Sequence, residues 1–325
     1  MIHRPLLLGV PELTLTHVVT ADPGRGAQAE ADIPGVRVVT GAEELWQQTD
    51  DFDAVVVATT NASHRPLATA ALERGKATVV DKPFALTAAG AEDLVALGDR
   101  LGVPLTVFHN RRWDSDTLTA AALLAAGTLG AVHRLESRFA RYRPAVLDRW
   151  RERAGGGGVL LDLGPHVVDQ ALHLLGPAVD VYAEVDTRRD GARVDDDCFL
   201  ALTHTSGARS HLWCSMAAPA RAPRLLLQGS VGGWAKDGLD GQEDAQREGV
   251  GAPPEPAGRL TDASGTCAVP SLPGDWGAFY RAFAAAAVGA GPVPVAPQDG
   301  VVVMRVLEAA RRSSTTREVV LLPAG

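Results

Sequence analysis

Apolar residues in the first hundred positions come in short runs separated by stretches with helical period. Leu13-Thr14-Leu15-Thr16-His17-Val18-Val19 alternates like a strand. Ala54-Val55-Val56-Val57-Ala58 is a continuous apolar run of the kind buried inside a parallel sheet. His64 to Arg74 has the period of a helix and stops at Gly75. Ala77-Thr78-Val79-Val80 reads as a further strand, Thr87 to Leu101 as a long helix capped by Thr87, and Val103 to Phe108 as another strand. Strands alternating with helices predict a doubly wound parallel sheet.

The pattern changes near Arg111. A helix is predicted over about Asp116 to Ala126, and strands then follow one another: Ala131 to Tyr142, Ala178 to Thr187, Asp197 to His204, Ala208 to Ser215 and Arg224 to Gly229. Val194-Asp195-Asp196-Asp197 reads as a solvated turn. Gly249 to Ser271, rich in Gly, Pro and Ala, reads as a loop. Ala278 to Gly289 and Gly300 to Ser314 read as helices, and Val319 to Leu322 as a last short strand. Consecutive strands predict a large, mostly antiparallel sheet with helix on one face. The fold class expected is therefore α/β. Residues 1–110 are expected to form a doubly wound parallel domain, and residues 111–325 an α+β domain.

Composition narrows the function classes. The 325 residues are 46% hydrophobic and 22% charged, as in globular domains. A net charge of −8 argues against a nucleic-acid partner. No apolar run reaches the roughly 18 residues needed to cross a membrane. The apolar stretch at Met1-Ile2-His3-Arg4-Pro5-Leu6-Leu7-Leu8 is too short for a signal peptide. Cys198, Cys214 and Cys267 are scattered, with no metal-ligand spacing, and suit a reducing compartment. A cytoplasmic protein without a metal is expected.

The candidate chemistry sits at Gly155-Gly156-Gly157-Gly158-Val159-Leu160-Leu161-Asp162-Leu163-Gly164-Pro165-His166. Four glycines cost backbone entropy and add nothing to a core, but they let a flat ligand lie against backbone. Asp162 and His166 follow, four apart, placed to meet over that ligand as a proton relay. Pro165 fits a helix first turn and Gly176 its stop. His166, Asp169 and His173 then share one face. An ordinary helix with a solvated polar face has the same spacing. Upstream, Asp81-Lys82-Pro83 follows a parallel strand, where open α/β sheets bind ligands. Pro83 holds Lys82 out of the helical region. A lysine there is either surface charge or a cation that stabilises an alkoxide.

Asp81-Lys82-Pro83 resembles the Glu-Lys-Pro motif of the Gfo/Idh/MocA oxidoreductases, and the glycine run with Asp162 and His166 resembles that family's second motif. Phe108-His109-Asn110-Arg111-Arg112-Trp113-Asp114 and Gly238 to Asp244 are similar to the branch holding NADP-dependent scyllo-inositol dehydrogenases. The likeness runs along nearly the whole chain. It implies a catalytic set of Lys82, Asp162 and His166: His166 as general base on a sugar or cyclitol hydroxyl, Asp162 orienting it, and Lys82 polarising the oxygen. It implies cofactor contacts from Thr59, Asn61, His64, Asp81, Lys82, Pro83, Asn110 and Trp150, the last of which also fits plain packing. It implies substrate contacts from Lys82, Arg112, Tyr142, Asp162 and His166. Asp81 stands where the family has Glu, one methylene shorter.

One departure stands out. The family opens with a strand and a Gly-x-Gly-x-x-Gly loop, whereas Met1 to Leu7 reads as the helix that follows such a loop, about seventeen residues further on. The absent strand belongs between Leu13–Val19 and Ala54–Ala58, so these two are expected to expose unpaired backbone or to close on each other. A start upstream of Met1 is favoured over a degenerate, catalytically silent member serving as a binding or dimerisation module. After the second strand Thr20 replaces the acid that bonds an NAD ribose, and Arg25 follows, so NADP is expected over NAD. Along the strand around Ala208 to Ser215, His211 and Trp213 alternate with Leu212 and Cys214, so both sheet faces carry bulky apolar groups. A homodimer burying that sheet is expected.

Overall fold

The computed structural model describes residues 2–252 and 254–323. Its first part is built from α1 (His3–Leu8), β1 (His17–Val19), α2 (Pro23–Asp32), β2 (Arg37–Val39), α3 (Ala42–Trp46), β3 (Ala54–Val57), α4 (Asn61–Glu73), β4 (Ala77–Val80), α5 (Ala88–Leu101) and β5 (Leu105–Val107). All strand pairs in it are parallel. Residues of β4 and β5 are buried throughout, as sheet centres covered by helices must be. Thr87 caps α5 through its hydroxyl, which accepts from the Gly90 amide at 3.1 Å, and Gly102 ends the helix in the left-handed region at φ 64°.

The parallel sheet is in two pieces. β1 pairs only with β2, and β3 pairs with β4 and β4 with β5. Among the described residues no backbone pairing joins β1 to β3. A small separate core of Val39, Leu45 and Phe52 lies under the two-stranded piece. The expected helix over Met1–Leu7 is α1; Met1 lies outside the described residues. The strand expected over Leu13–Val19 is only three residues long. Helices α2 and α3 and strand β2, for which the sequence reading had no element, fill residues 23–46.

The second part comprises α6 (Ser115–Ala125), β6 (Val132–Ala140), α7 (Val159–Asp162), α8 (Gly164–Leu175), β7 (Ala178–Asp186), β8 (Asp197–His204), β9 (Arg209–Ser215), β10 (Leu225–Gly229), β11 (Gly232–Lys236), α9 (Gln242–Glu248), β12 (Gly258–Asp262), β13 (Gly265–Val269), α10 (Gly277–Ala287), α11 (Pro297–Thr316) and β14 (Val320–Leu321). Nine strands form one sheet in the order β13-β12-β11-β10-β6-β9-β8-β7-β14. Only the β6–β9 pair is parallel. Helices α8 and α11 cover one face, where Val181, Ala183, Leu200 and Leu212 are fully buried. Two expectations are corrected here. The loop over Gly249–Ser271 contains the hairpin β12–β13, with Pro253 outside the described residues. The turn Val194–Asp197 is not solvated: Asp196 is fully buried and accepts from the Arg188 and Arg189 amides and from the Arg189 guanidinium.

Candidate active site

Lys82 leaves the end of β4, and its direction is set from below. The His64 ring on α4 contacts the Pro83 carbonyl at 2.7 Å and the Thr59 carbonyl at 3.3 Å. The Lys82–Pro83 peptide is cis. The Lys82 ammonium donates to the backbone carbonyl of Asp162 at 2.6 Å and to its carboxylate at 2.9 Å. Two residues eighty positions apart are thereby locked into one mostly buried pair, between the parallel sheet and the short helix α7. Arg151 adds a third contact, Nε to the same carboxylate oxygen at 3.1 Å. Burial opposes ionisation of Asp162, but Lys82 and Arg151 outweigh it and hold its pKa below the usual carboxylate value.

His166 stands in the first turn of α8, 7% exposed, stacked on Phe139 with ring centres 6.0 Å apart. Its Nδ1 is buried without a partner. Burial first, then the Lys82 and Arg111 charges, push its pKa well below 6.5, so the ring is neutral at physiological pH. The expected contact between Asp162 and His166 is not formed: the Asp162 carboxylate is taken by Lys82 and Arg151, and the imidazole rests against Phe139 instead.

The loop ahead of α7 explains the glycine run. Gly158 has φ 102°, and a Cβ there would sit 2.3 Å from the Asp195 carboxylate. That carboxylate accepts from the Leu160 amide at 2.7 Å, and the Asp195 carbonyl accepts from the Val159 amide at 2.9 Å. Asp195 thus caps the helix that carries Asp162, from thirty-five residues away. Gly156 (φ 136°) takes the Asn61 side-chain amide on its carbonyl at 2.7 Å. Beside it a cavity of about 170 Å³ is lined by Thr60, Asn61, Trp150, Arg153 and the glycines. Arg151 lies over the Trp150 ring at 4.4 Å.

Asp81 accepts from the Lys82 amide at 2.7 Å and lies 3.5 Å from His3 on α1. Burial opposes its ionisation, but His3, Lys82 and His64 together hold its pKa far below the usual range. Asn110 is buried in the turn after β5. Arg112 does not join the Lys82–Asp162 pair; it grips Asp169 with two nitrogens, at 2.6 and 3.0 Å, and Asp299 at 2.9 Å. Tyr142 is 60% exposed. Thr59 faces Ser63 at 3.0 Å. Thr20 follows β1 and Arg25 lies on α2, exposed, with only a 3.8 Å contact to Asp22. Asp22 caps α2 by accepting from the Arg25 amide.

The sequence reading passed over several groups. Arg111 is buried between Asp114 at 3.0 Å and Glu243 at 2.8 Å, with Phe139 4.7 Å away. His109 is buried with neither ring nitrogen hydrogen-bonded, 3.9 Å from Asp169. Gly24-Arg25-Gly26-Ala27-Gln28-Ala29 is a loose dinucleotide fingerprint, but its glycines lie inside α2 and form no loop. Among the described residues no cluster of His, Cys, Asp or Glu is arranged to hold a metal, and no helix is long and apolar enough to cross a membrane.

Residues 1–109 match a family model described as an oxidoreductase family with an NAD-binding Rossmann fold, and residues 117–235 match the Gfo/Idh/MocA C-terminal domain. The chain belongs to the Gfo/Idh/MocA oxidoreductase family. It is 40% identical to the uncharacterized oxidoreductase YdgJ of Escherichia coli, over 98% of this chain and 94% of that one. It is 35% identical to scyllo-inositol 2-dehydrogenase (NADP(+)) IolW of Bacillus subtilis, over 98% and 92%. A solved oxidoreductase from Klebsiella pneumoniae superposes with a TM-score of 0.89 at 37% identity, covering 99% of this chain and 91% of that chain. The Lys82–Asp162 contacts join the first part of the chain to the second, and residues of both parts line the cavity at Asn61 and Trp150.

Proposed function

We propose that this chain is an NADP-dependent dehydrogenase or reductase that moves a hydride between the nicotinamide and a carbinol or ketone carbon of a sugar, cyclitol or related polyol. The observation that carries this reading is the Lys82 ammonium, held by two acceptors of Asp162 within the same cleft as a neutral, nearly buried His166. Two of its three protons are engaged, which leaves one to meet a substrate oxygen. In oxidation, His166 takes the hydroxyl proton at Nε2, and Lys82 stabilises the negative charge that develops on oxygen as the C–H pair departs. In reduction both roles reverse.

The residues present fit one end of a nicotinamide dinucleotide. At the nicotinamide end the glycine-backed cavity, Asn61, Trp150 and the ionised Asp81 suit a flat amide ring and a ribose. Bound there, the nicotinamide supplies the hydride acceptor at C4. The pyrophosphate end is different: residues 1–325 contain no Gly-x-Gly-x-x-Gly loop, and β1 and β3 do not pair. NADP is favoured over NAD because Thr20 is uncharged and Asp22 is occupied as a cap. The split sheet favours one second reading, a family member that keeps the fold as a binding or dimerisation module.

A titration of NADPH fluorescence separates the two readings. Residues 1–325 should bind weakly, by about a thousandfold if two or three charge-assisted bonds are absent. A chain carrying a strand and glycine-rich loop ahead of His3 should bind at micromolar concentration. Micromolar binding by residues 1–325 would show that the cradle is dispensable. A folded extended chain that fails to bind would favour the module.

A homodimer is also proposed, through the sheet face turned away from α8 and α11. That face carries Phe199, His211 and Trp213 in mutual contact, with Arg138 3.9 Å above the Trp213 ring. An aromatic patch of this kind is more often covered than left wet.

A further inference from the structure

Three guanidinium groups gather around the ring of Phe139, the ring on which His166 stacks. Arg111 lies 4.7 Å from its centre, Arg141 4.9 Å and Arg224 5.7 Å. Two of them have acidic partners, although the Nε of each is buried without a hydrogen bond. Arg111 pairs with Asp114 and Glu243. Arg224 donates to Ser137 and Gln170 and lies 3.4 Å from Asp116. Arg141 differs: among the described residues its side chain makes no hydrogen bond and no ion pair. It follows directly on β6, and the backbone there is fixed, with its amide donating to Ser215 and its carbonyl accepting from Ala218.

The surroundings make this costly. Burial first, then the neighbouring Arg143 and Arg111 charges, disfavour the charged form of Arg141, while Glu243 and Asp162 favour it only from a distance. A guanidinium still stays charged, so a cation stands partly desolvated without a counter-ion. Arg151 and Lys82 add positive charge on the Asp162 side of the same cleft. The molecule as a whole carries −8, so this local excess of cations runs against its overall charge.

We propose that Arg141 receives a carboxylate of the substrate, so that this cleft takes polyhydroxy acids, aldonates or uronates, in preference to neutral polyols. The planar fork of a guanidinium matches the two oxygens of a carboxylate, which supplies the missing counter-ion. The carbinol of the same molecule then lies against Lys82 and His166. This inference rests on the oxidoreductase reading of the cleft and deepens it by naming the substrate class.

The test measures binding by calorimetry on the full chain, without cofactor, for matched pairs: D-gluconate and D-glucitol, D-galactonate and D-galactitol. At least one acid should bind tenfold or more tightly than its neutral partner, and more weakly as salt is raised. That preference should vanish in Arg141→Gln and persist in part in Arg141→Lys, with melting temperatures unchanged. Equal affinities, no binding of either acid, or a preference that survives in Arg141→Gln would overturn the proposal. NADP⁺ reduction is measured in parallel. If the acid preference holds but no acid or neutral polyol reduces NADP⁺ with a chain that carries a strand and glycine-rich loop ahead of His3 and binds NADPH, the carboxylate site stands and the oxidoreductase reading falls.

Discussion

At the residue scale the cleft is a competition among charges. Lys82 and Asp162 neutralise each other through two contacts, and this leaves His166 as the neutral group able to accept a proton. His166→Ala should therefore lower turnover by about a hundredfold or more while NADPH affinity changes little; steady-state kinetics beside a titration checks both. The pH dependence follows from the sign of the shift. The depressed pKa of His166 keeps the ring neutral at pH 6.5, so the oxidation rate should hold as pH falls to that value and decline only well below it. Folding stability should also fall as pH drops below 6.5, because the unfolded chain takes up a proton there that the buried ring refuses. Denaturant midpoints across that range measure this. Lys82, Asp162 and His166 were legible because each stands beside punctuation, a proline or a glycine run, that marks local backbone. Arg141 and Arg151 were not. Arg151 is set by its contact with Asp162 and Arg141 by its lack of any partner among the described residues, and arginines in a polar stretch look alike in sequence.

At the element scale α7 is the part most exposed to change. It is four residues long, too short to hold itself, and Asp195 ties its first turn to the approach to β8. Asp195→Ala should destabilise the fold by about 1–2 kcal/mol, and Asp195→Asn by less. Gly158→Ala should cost about 1–3 kcal/mol for its positive φ alone, before the clash with Asp195. Chemical denaturation of the three variants measures both effects, and an unchanged midpoint for Gly158→Ala would show that the loop adapts. Asp195 also shows why reading failed there. Three successive aspartates resemble a solvated turn, yet Asp195 caps a helix thirty-five residues back and Asp196 is buried against Arg188 and Arg189. Strands β2, β12 and β13 were missed for a different reason. β12 and β13 are largely exposed at a sheet edge, and β2 has only three residues, so they carry little of the alternation that burial imposes on β8. Buried β4 and β5 were legible because both faces are covered.

At the scale of the whole molecule, two sheets meet at one cleft, and their organisation was legible from the switch between alternating and consecutive strand patterns. The division near residue 110 is proposed on that basis. The outer face of the nine-stranded sheet predicts self-association: Trp213→Asp should shift the chain to monomer in sedimentation at micromolar concentration, with its melting temperature kept. A wild-type chain that sediments as monomer would remove the dimer. The central claim is hydride transfer at the cleft built on Lys82, Asp162 and His166. The most direct measurement is NADP⁺ reduction with a panel of sugars, sugar acids and cyclitols, by a chain carrying a strand and glycine-rich loop ahead of His3, with and without Lys82→Met. The account predicts substrate-dependent NADPH formation that falls by about a hundredfold or more in Lys82→Met while NADPH still binds. An undiminished rate in that variant, or no reduction from any member of the panel by a chain that binds NADPH, would contradict it.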